Sequence, residues 1–125
     1  MSVEFETAFA ALKSVLAKHT RNLAVKANTG VEYTLATKSA SPFPQHKARP
    51  LDFGSVRMGK AYVSFHLMAL YMNSTLTSGI SPALKKRMQG KTCFNFKVAP
   101  ESAVLAELER LTEAGFKLFK DQKWL

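Results

Sequence analysis

Apolar residues recur at helical spacing near both ends of the chain. Within the first nineteen residues, four of them are separated by four, three and four positions, which places them on one face of a predicted helix. These four are Phe5, Phe9, Leu12 and Leu16. A second helix is predicted after Pro100-Glu101, a dipeptide typical of a helix start. Its buried side is expected to carry Val104, Leu105, Leu108, Leu111, Phe116 and Phe119.

Between the two helices, apolar positions alternate with polar ones, as in half-buried strands. Residues 23–27 and 31–35 alternate on either side of a turn at 28–30, and this arrangement predicts a β-hairpin. Further strands are predicted at 53–58, at 61–68 after a tight turn at Gly59-Lys60, and at 91–97.

Two stretches interrupt this alternation. Residues 39–51 contain three prolines and no period, so they predict a surface loop. Ser81-Pro82 is a strong helix start, and the short helix that follows is expected to end at Gly90. The predicted order is therefore α-β-β-β-β-α-β-α. We expect one domain over residues 1–125 with an α+β fold, a two-layer sandwich whose N- and C-terminal helices pack on one face of an antiparallel sheet.

Strand alternation divides the side chains of the predicted sheet between two faces. Along residues 61–68 the odd-numbered positions are apolar and belong under the helices, whereas Tyr62, Ser64 and His66 point the other way. This second face is expected to be open to water. We expect it to carry Arg57, Tyr62, His66, Lys91, Cys93 and Asn95, with Tyr71 as a further candidate.

Positive charge is concentrated in the middle of the chain. The 125 residues have a formal net charge of +9 at pH 7. Residues 38–97 contain ten basic residues against Asp52 alone, whereas residues 1–37 and 98–125 are close to neutral. One interpretation is an anionic partner for this middle section, and the other is a solvated surface that keeps the protein soluble.

Cysteine usage and the first residues of the chain predict a compartment. Cys93 is the only cysteine, so no internal disulfide can form, which fits a reducing environment. Glu4 and Glu6 precede any apolar run, unlike the start of a secretory signal, and no apolar run approaches the ~20 residues of a membrane span. We therefore expect a cytoplasmic protein without a membrane partner.

Catalytic and cofactor chemistry is weakly indicated. His66 and Cys93 could form an imidazole–thiol pair for nucleophilic catalysis, with Asn95 as the orienting group, but a lone cysteine on a strand is more often structural. Residues 54–60 match the spacing of a phosphate-binding loop, yet Ala61 stands where a hydroxyl is required and a strand follows instead of a helix. The three histidines show no metal-ligand spacing. We expect no enzyme activity and no cofactor.

The central block FGSVRMGKAYVSFHLMALYMN, followed by ISPALKKRMQGKTCFNF, closely resembles the YdhG-like family of small bacterial proteins of unknown function. The resemblance implies a frataxin-like fold, with two helices on one face of an antiparallel sheet. A related Bacillus member is regarded as a frataxin-like iron chaperone, so the resemblance also implies iron as an alternative ligand. Frataxins hold iron on an acidic ridge at the first helix, where this chain offers Glu4 and Glu6.

Together these patterns predict a non-catalytic binding protein. Its open, cationic sheet face would take an anionic small molecule or an acidic protein partner. The alternatives are a frataxin-like intracellular iron chaperone and a protein that binds single-stranded nucleic acid through cations and stacking rings. The candidate contact residues, most of which are motif positions of the family, are Arg57, Lys60, Tyr62, His66, Tyr71, Lys91, Cys93 and Asn95.

Overall fold

A computed structural model describes residues 3–40, 50–90 and 92–124 of the chain. Two single 3-10 turns, at Thr20–Asn22 and Ser74–Thr77, connect its regular elements. In chain order these elements are α1 (Val3–Ala17), β1 (Ala24–Asn28), β2 (Glu32–Ala40), β3 (Pro50–Met58), β4 (Val63–Leu67), α2 (Ala69–Met72), α3 (Pro82–Lys85), β5 (Met88–Gln89), β6 (Cys93–Phe96) and α4 (Ser102–Asp121).

The strands form one antiparallel sheet in the order β1-β2-β3-β4-β6-β5. Strands β1 to β4 follow one another as a meander because their connections are short enough for neighbouring strands to pair. Strand β6 then pairs with β4, and the two-residue β5 lies at the edge beyond it. The predicted α+β architecture, an antiparallel sheet with the N- and C-terminal helices packed on it, is confirmed.

Helices α1 and α4 cover the same face of the sheet. The side chain of Leu16 in α1 lies against Gly54 of β3, and Gly115 in α4 lies against Leu67 of β4. The predicted apolar stripes are buried here: Phe9, Leu12 and Leu16 of α1, with Val104, Leu108, Leu111 and Phe119 of α4. Phe5, Leu105 and Phe116 pack at the margin of this core.

A β-bulge in β3 adds an aromatic ring to the core. Leu35 pairs with Gly54 while its neighbour Ala36 pairs with Asp52, so Phe53 is an extra residue in the ladder. Its side chain is 0% exposed, and its ring meets that of Phe119 at a centroid distance of 5.2 Å. The bulge therefore leaves Asp52 on the second face of the sheet.

His19 packs into the helical layer just beyond α1. Its ring stacks on Phe116 with a centroid distance of 4.9 Å. Burial lowers the pKa of His19 below its ordinary value; the carboxylate of Glu113 opposes this shift and the ammonium of Lys18 adds to it. The half-buried ring is thus neutral at neutral pH, where it contacts Phe116 and Phe53.

The structure corrects three predicted boundaries. The short helix opened by Ser81-Pro82 ends at Lys85 instead of Gly90, because the chain turns into β5 and the backbone N–H of Asn95 donates to the carbonyl of Arg87 at 2.7 Å. The strand predicted at 61–68 is shorter, and Tyr71 belongs to α2. Of the loop predicted at 39–51, residues 39–40 belong to β2 and residues 50–51 belong to β3; residues 41–49 lie outside the described residues.

None of the helices described in the structure is both long and apolar enough to cross a membrane.

Candidate functional site

Two rows of polar side chains cross the second face of the sheet. Strand register places residues of neighbouring strands side by side, so that a row runs perpendicular to the strands. The first row consists of Thr34, Ser55, His66, Cys93 and Gln89. The second consists of Glu32, Arg57, Ser64 and Asn95. Thr34 is buried, whereas the side chains over β3 to β6 are partly or fully exposed, so the accessible part of the face lies there.

Charges on this face occur in pairs. The ammonium of Lys26 lies 3.2 Å from the carboxylate of Asp52, and the guanidinium of Arg57 lies 3.5 Å from that of Glu32. The hydroxyl of Thr34 also donates to Glu32, at 2.8 Å. These exposed pairs contribute roughly 0–1 kcal/mol each, so a ligand carboxylate can exchange with them at little cost. Lys26 and Arg57 are therefore each paired with a carboxylate on the described part of the face.

A network of neutral groups runs from β4 to the edge strand. The hydroxyl of Ser64 donates to Oδ1 of Asn95 at 3.0 Å, and Nδ2 of Asn95 donates to Oε1 of Gln89 at 2.7 Å. Both ends of the Asn95 amide are therefore used, which fixes its orientation on the face. Asn95 was a predicted contact residue, whereas Gln89 was missed because β5 was not predicted.

His66 and Cys93 are brought together, as the sequence suggested. Nδ1 of His66 lies 3.3 Å from Sγ of Cys93, and the hydroxyl of Thr92 lies 3.7 Å from the same sulfur. Burial lowers the pKa of His66; the carboxylate of Asp52 partly opposes this, and the guanidinium of Arg57 reinforces it. The imidazole is therefore neutral at neutral pH. The pair is thus a neutral imidazole at hydrogen-bonding distance from a thiol.

Exposed cations gather at one end of the sheet, which we call the basic end. Antiparallel pairing brings the end of β3, the start of β4, the end of β6 and the start of β5 to this side. Its members lie in the β3–β4 turn, after β6, and between α3 and β5. They are Lys60, Lys85, Lys86, Arg87 and Lys97, all exposed and none in an ion pair with a carboxylate among the described residues.

Only some of the candidate contact residues lie on the same surface of the protein. Arg57, His66, Cys93 and Asn95 share the second face. Lys60 and Tyr62 lie at the basic end, in the turn where the N–H of Gly59 donates to the carbonyl of Tyr62 at 2.9 Å. Tyr71 is 66% exposed on α2, which packs against α4 in the helical layer, so it does not belong to the second face. Lys91 lies outside the described residues.

Metal donors are scattered in the described part of the chain. No group of three or more histidine, cysteine, aspartate or glutamate side chains is placed there to hold an ion. Glu4 and Glu6, the acidic residues of the first helix, are exposed in its first turn. The alternative of iron binding therefore gains no donor set from the described residues.

Comparison with known proteins finds no matching family model, no matching curated protein and no matching solved structure.

Proposed function

We propose that this protein is a non-catalytic binding protein that receives an acidic protein partner on the second face and the adjoining basic end. One observation carries the proposal: five exposed cations without carboxylate partners among the described residues adjoin a row of amide and hydroxyl groups. Cations supply attraction and steer encounter, whereas the neutral groups supply directional hydrogen bonds.

The shape of the site favours a protein partner over a small molecule. The backbones of Arg57 and Arg87 flank those of Ser64 and Asn95 and are three strand spacings apart, which is about 14 Å at roughly 4.8 Å per strand. Small ligands prefer concave, mostly apolar pockets, whereas a sheet face with dispersed polar groups suits a broad contact. An acidic surface can span both arginines at once.

Asn95 does not serve as the expected orienting group of the His66–Cys93 pair, because its amide is bonded to Ser64 and Gln89. Nδ1 of His66 lies 3.3 Å from Sγ of Cys93, and the pair enters the proposal as hydrogen-bonding groups of the second face.

Amide NMR titration of the full chain tests the proposal. The probes are polyglutamate, inorganic phosphate and an oligothymidylate single strand, each added separately. Polyglutamate is expected to shift the amides of residues 55–66 and 93–97, and added salt is expected to weaken the effect. Arg57→Glu should reduce the shifts, while Arg110→Glu on α4 is the control with the same change of charge. Absence of shifts with polyglutamate overturns the proposal, and tighter binding of oligothymidylate would identify a nucleic-acid ligand instead.

A further inference from the structure

A shallow cavity adjoins the basic end. It lies where α3 approaches the connection from β6 to α4, and its volume is about 130 Å³. An apolar cavity of about 150 Å³ is large enough to bind benzene, so this one accepts a single aliphatic side chain. Its apolar lining consists of Ala83, Phe96, Val98, Ala99, Pro100 and Val104, and it is completed by Arg87 and Glu101.

The surroundings of the cavity are positive. Arg87 is part of the lining, Lys97 precedes Val98, and Lys85 and Lys86 lie between Ala83 and Arg87 in the chain. Glu101, the N-cap residue of α4, adds one carboxylate to the lining. The four cations Lys85, Lys86, Arg87 and Lys97 outnumber it, so the surroundings keep a positive balance.

We infer that the basic end docks an acidic protein segment whose aliphatic anchor side chain enters the cavity between α3 and the β6–α4 connection. The inference rests on the proposed function and names the part of the partner that the site recognises. An inorganic anion would use the cations but leave the apolar lining unused. A nucleic-acid strand relies on stacking against several rings, and Tyr62 supplies one exposed ring at this end. Among these three ligands, an acidic segment with an apolar side chain is the one that uses both features.

Fluorescence anisotropy of a labelled peptide tests the inference. The peptide has one leucine flanked on both sides by glutamates, and a second peptide of equal charge has serine in place of leucine. We expect the full-length protein to bind the leucine peptide about fivefold to tenfold more tightly, because the anchor buries apolar surface. Val98→Ser should remove this preference. Val25→Ser is the matched control, since Val25 is 47% exposed and Val98 is 49% exposed.

Charge reversal tests whether the cations of the basic end contribute to binding of the peptide. The double variant Arg87→Glu with Lys97→Glu should weaken binding of the leucine peptide at least roughly tenfold. Lys117→Glu with Lys120→Glu, on exposed positions of α4, makes the same change in net charge and should alter binding less than about threefold. Equal losses in the two double variants would mean that net charge alone attracts the peptide, and the inference would be wrong.

The two proposals fail in different ways. Amide NMR titration with the same two peptides locates their binding. If the leucine and serine peptides bind equally and shift only the amides of Ser64, His66 and Asn95, the anchor inference is overturned and the proposed function stands. If shifts fall only around the cavity, the docking inference stands and the role of the second face is overturned. If neither peptide binds the folded protein, both are overturned.

Discussion

Gly54 of β3 lies against both Leu16 of α1 and the backbone of β4 at His66, a residue of the second face. A Cβ added there would lie 2.9 Å from Cδ2 of Leu16 and 3.0 Å from the carbonyl oxygen of His66. The leucine methyl could rotate only within a packed core, and the carbonyl belongs to the backbone of β4, which cannot move without disturbing the sheet. Gly54→Ala is therefore expected to destabilise the protein.

The expected change in the free energy of unfolding of Gly54→Ala follows from two opposing effects. Overpacking a close-packed core costs roughly 1–3 kcal/mol, because side chains leave their rotamers and the backbone shifts. Replacing glycine by alanine returns about 0.4–1 kcal/mol by restricting the unfolded chain. The expected net loss in the free energy of unfolding is about 1–2 kcal/mol. The displaced carbonyl should also shift the amide resonances of His66 and its partner Cys93.

Urea denaturation measures this loss as a lower midpoint at an unchanged m-value. Gly30→Ala is the matched control, since nothing lies within 4 Å of a Cβ built at Gly30. We expect the control to leave the free energy of unfolding unchanged or raise it by up to about 1 kcal/mol. If Gly54→Ala matched the control, α1 would not approach β3 as closely as the structure shows, and the argument would be refuted.

Three further predictions concern titration, the thiol and a helix cap. Burial lowers the folded-state pKa of His19 and of His66, so the unfolded chain binds more protons below about pH 6.5. The free energy of unfolding should therefore decrease as the pH falls, and calorimetry between pH 7.5 and 5.5 would measure this decrease. His19→Gln should make the free energy of unfolding less dependent on pH. Cys93 should react with iodoacetamide more slowly than free glutathione at pH 7, as followed by mass spectrometry, and faster reaction would contradict the non-catalytic proposal. Ser81→Ala should lower the free energy of unfolding, measured by thermal unfolding, by about 1–2 kcal/mol. The hydroxyl of Ser81 caps α3 and donates to the carboxylate of Glu107 at 2.6 Å, and both bonds would be lost. A decrease below about 0.5 kcal/mol would show that the cap is unimportant.

Residue periodicity was sufficient to predict the layers of this fold. The stripe that includes Phe9 and Leu12 can be buried only by a helix, and the alternation around Phe65 can be buried only by a strand with one covered face. These signals are local, since each depends on spacing within one element. The antiparallel arrangement followed from connections too short for crossovers.

Features that depend on pairing could not be predicted in this way. Strand β5 has two residues, too few to show a period, and it exists because its backbone pairs with β6. Strict alternation would have placed Phe53 on the second face beside Ser55, but the bulge turns it into the core. The ion pair of Arg57 joins it to Glu32 on a neighbouring strand, so it becomes visible only once the register of β2 and β3 is known.

The location of the positive charge in the fold favours a binding role over solubility alone. Spread evenly, the surplus of residues 38–97 would need no explanation beyond solubility. Antiparallel pairing instead brings Lys60, Lys97 and the run 85–87 to one end of the sheet. Like charges gathered at one end raise the local positive potential, which attracts an anion. The sheet face beside them keeps its own cations neutralised by Asp52 and Glu32. Electrostatic attraction is thus concentrated at the basic end, whereas hydrogen-bonding groups are concentrated on the second face. A partner that uses both surfaces must be anionic where it meets the basic end and polar where it crosses the sheet.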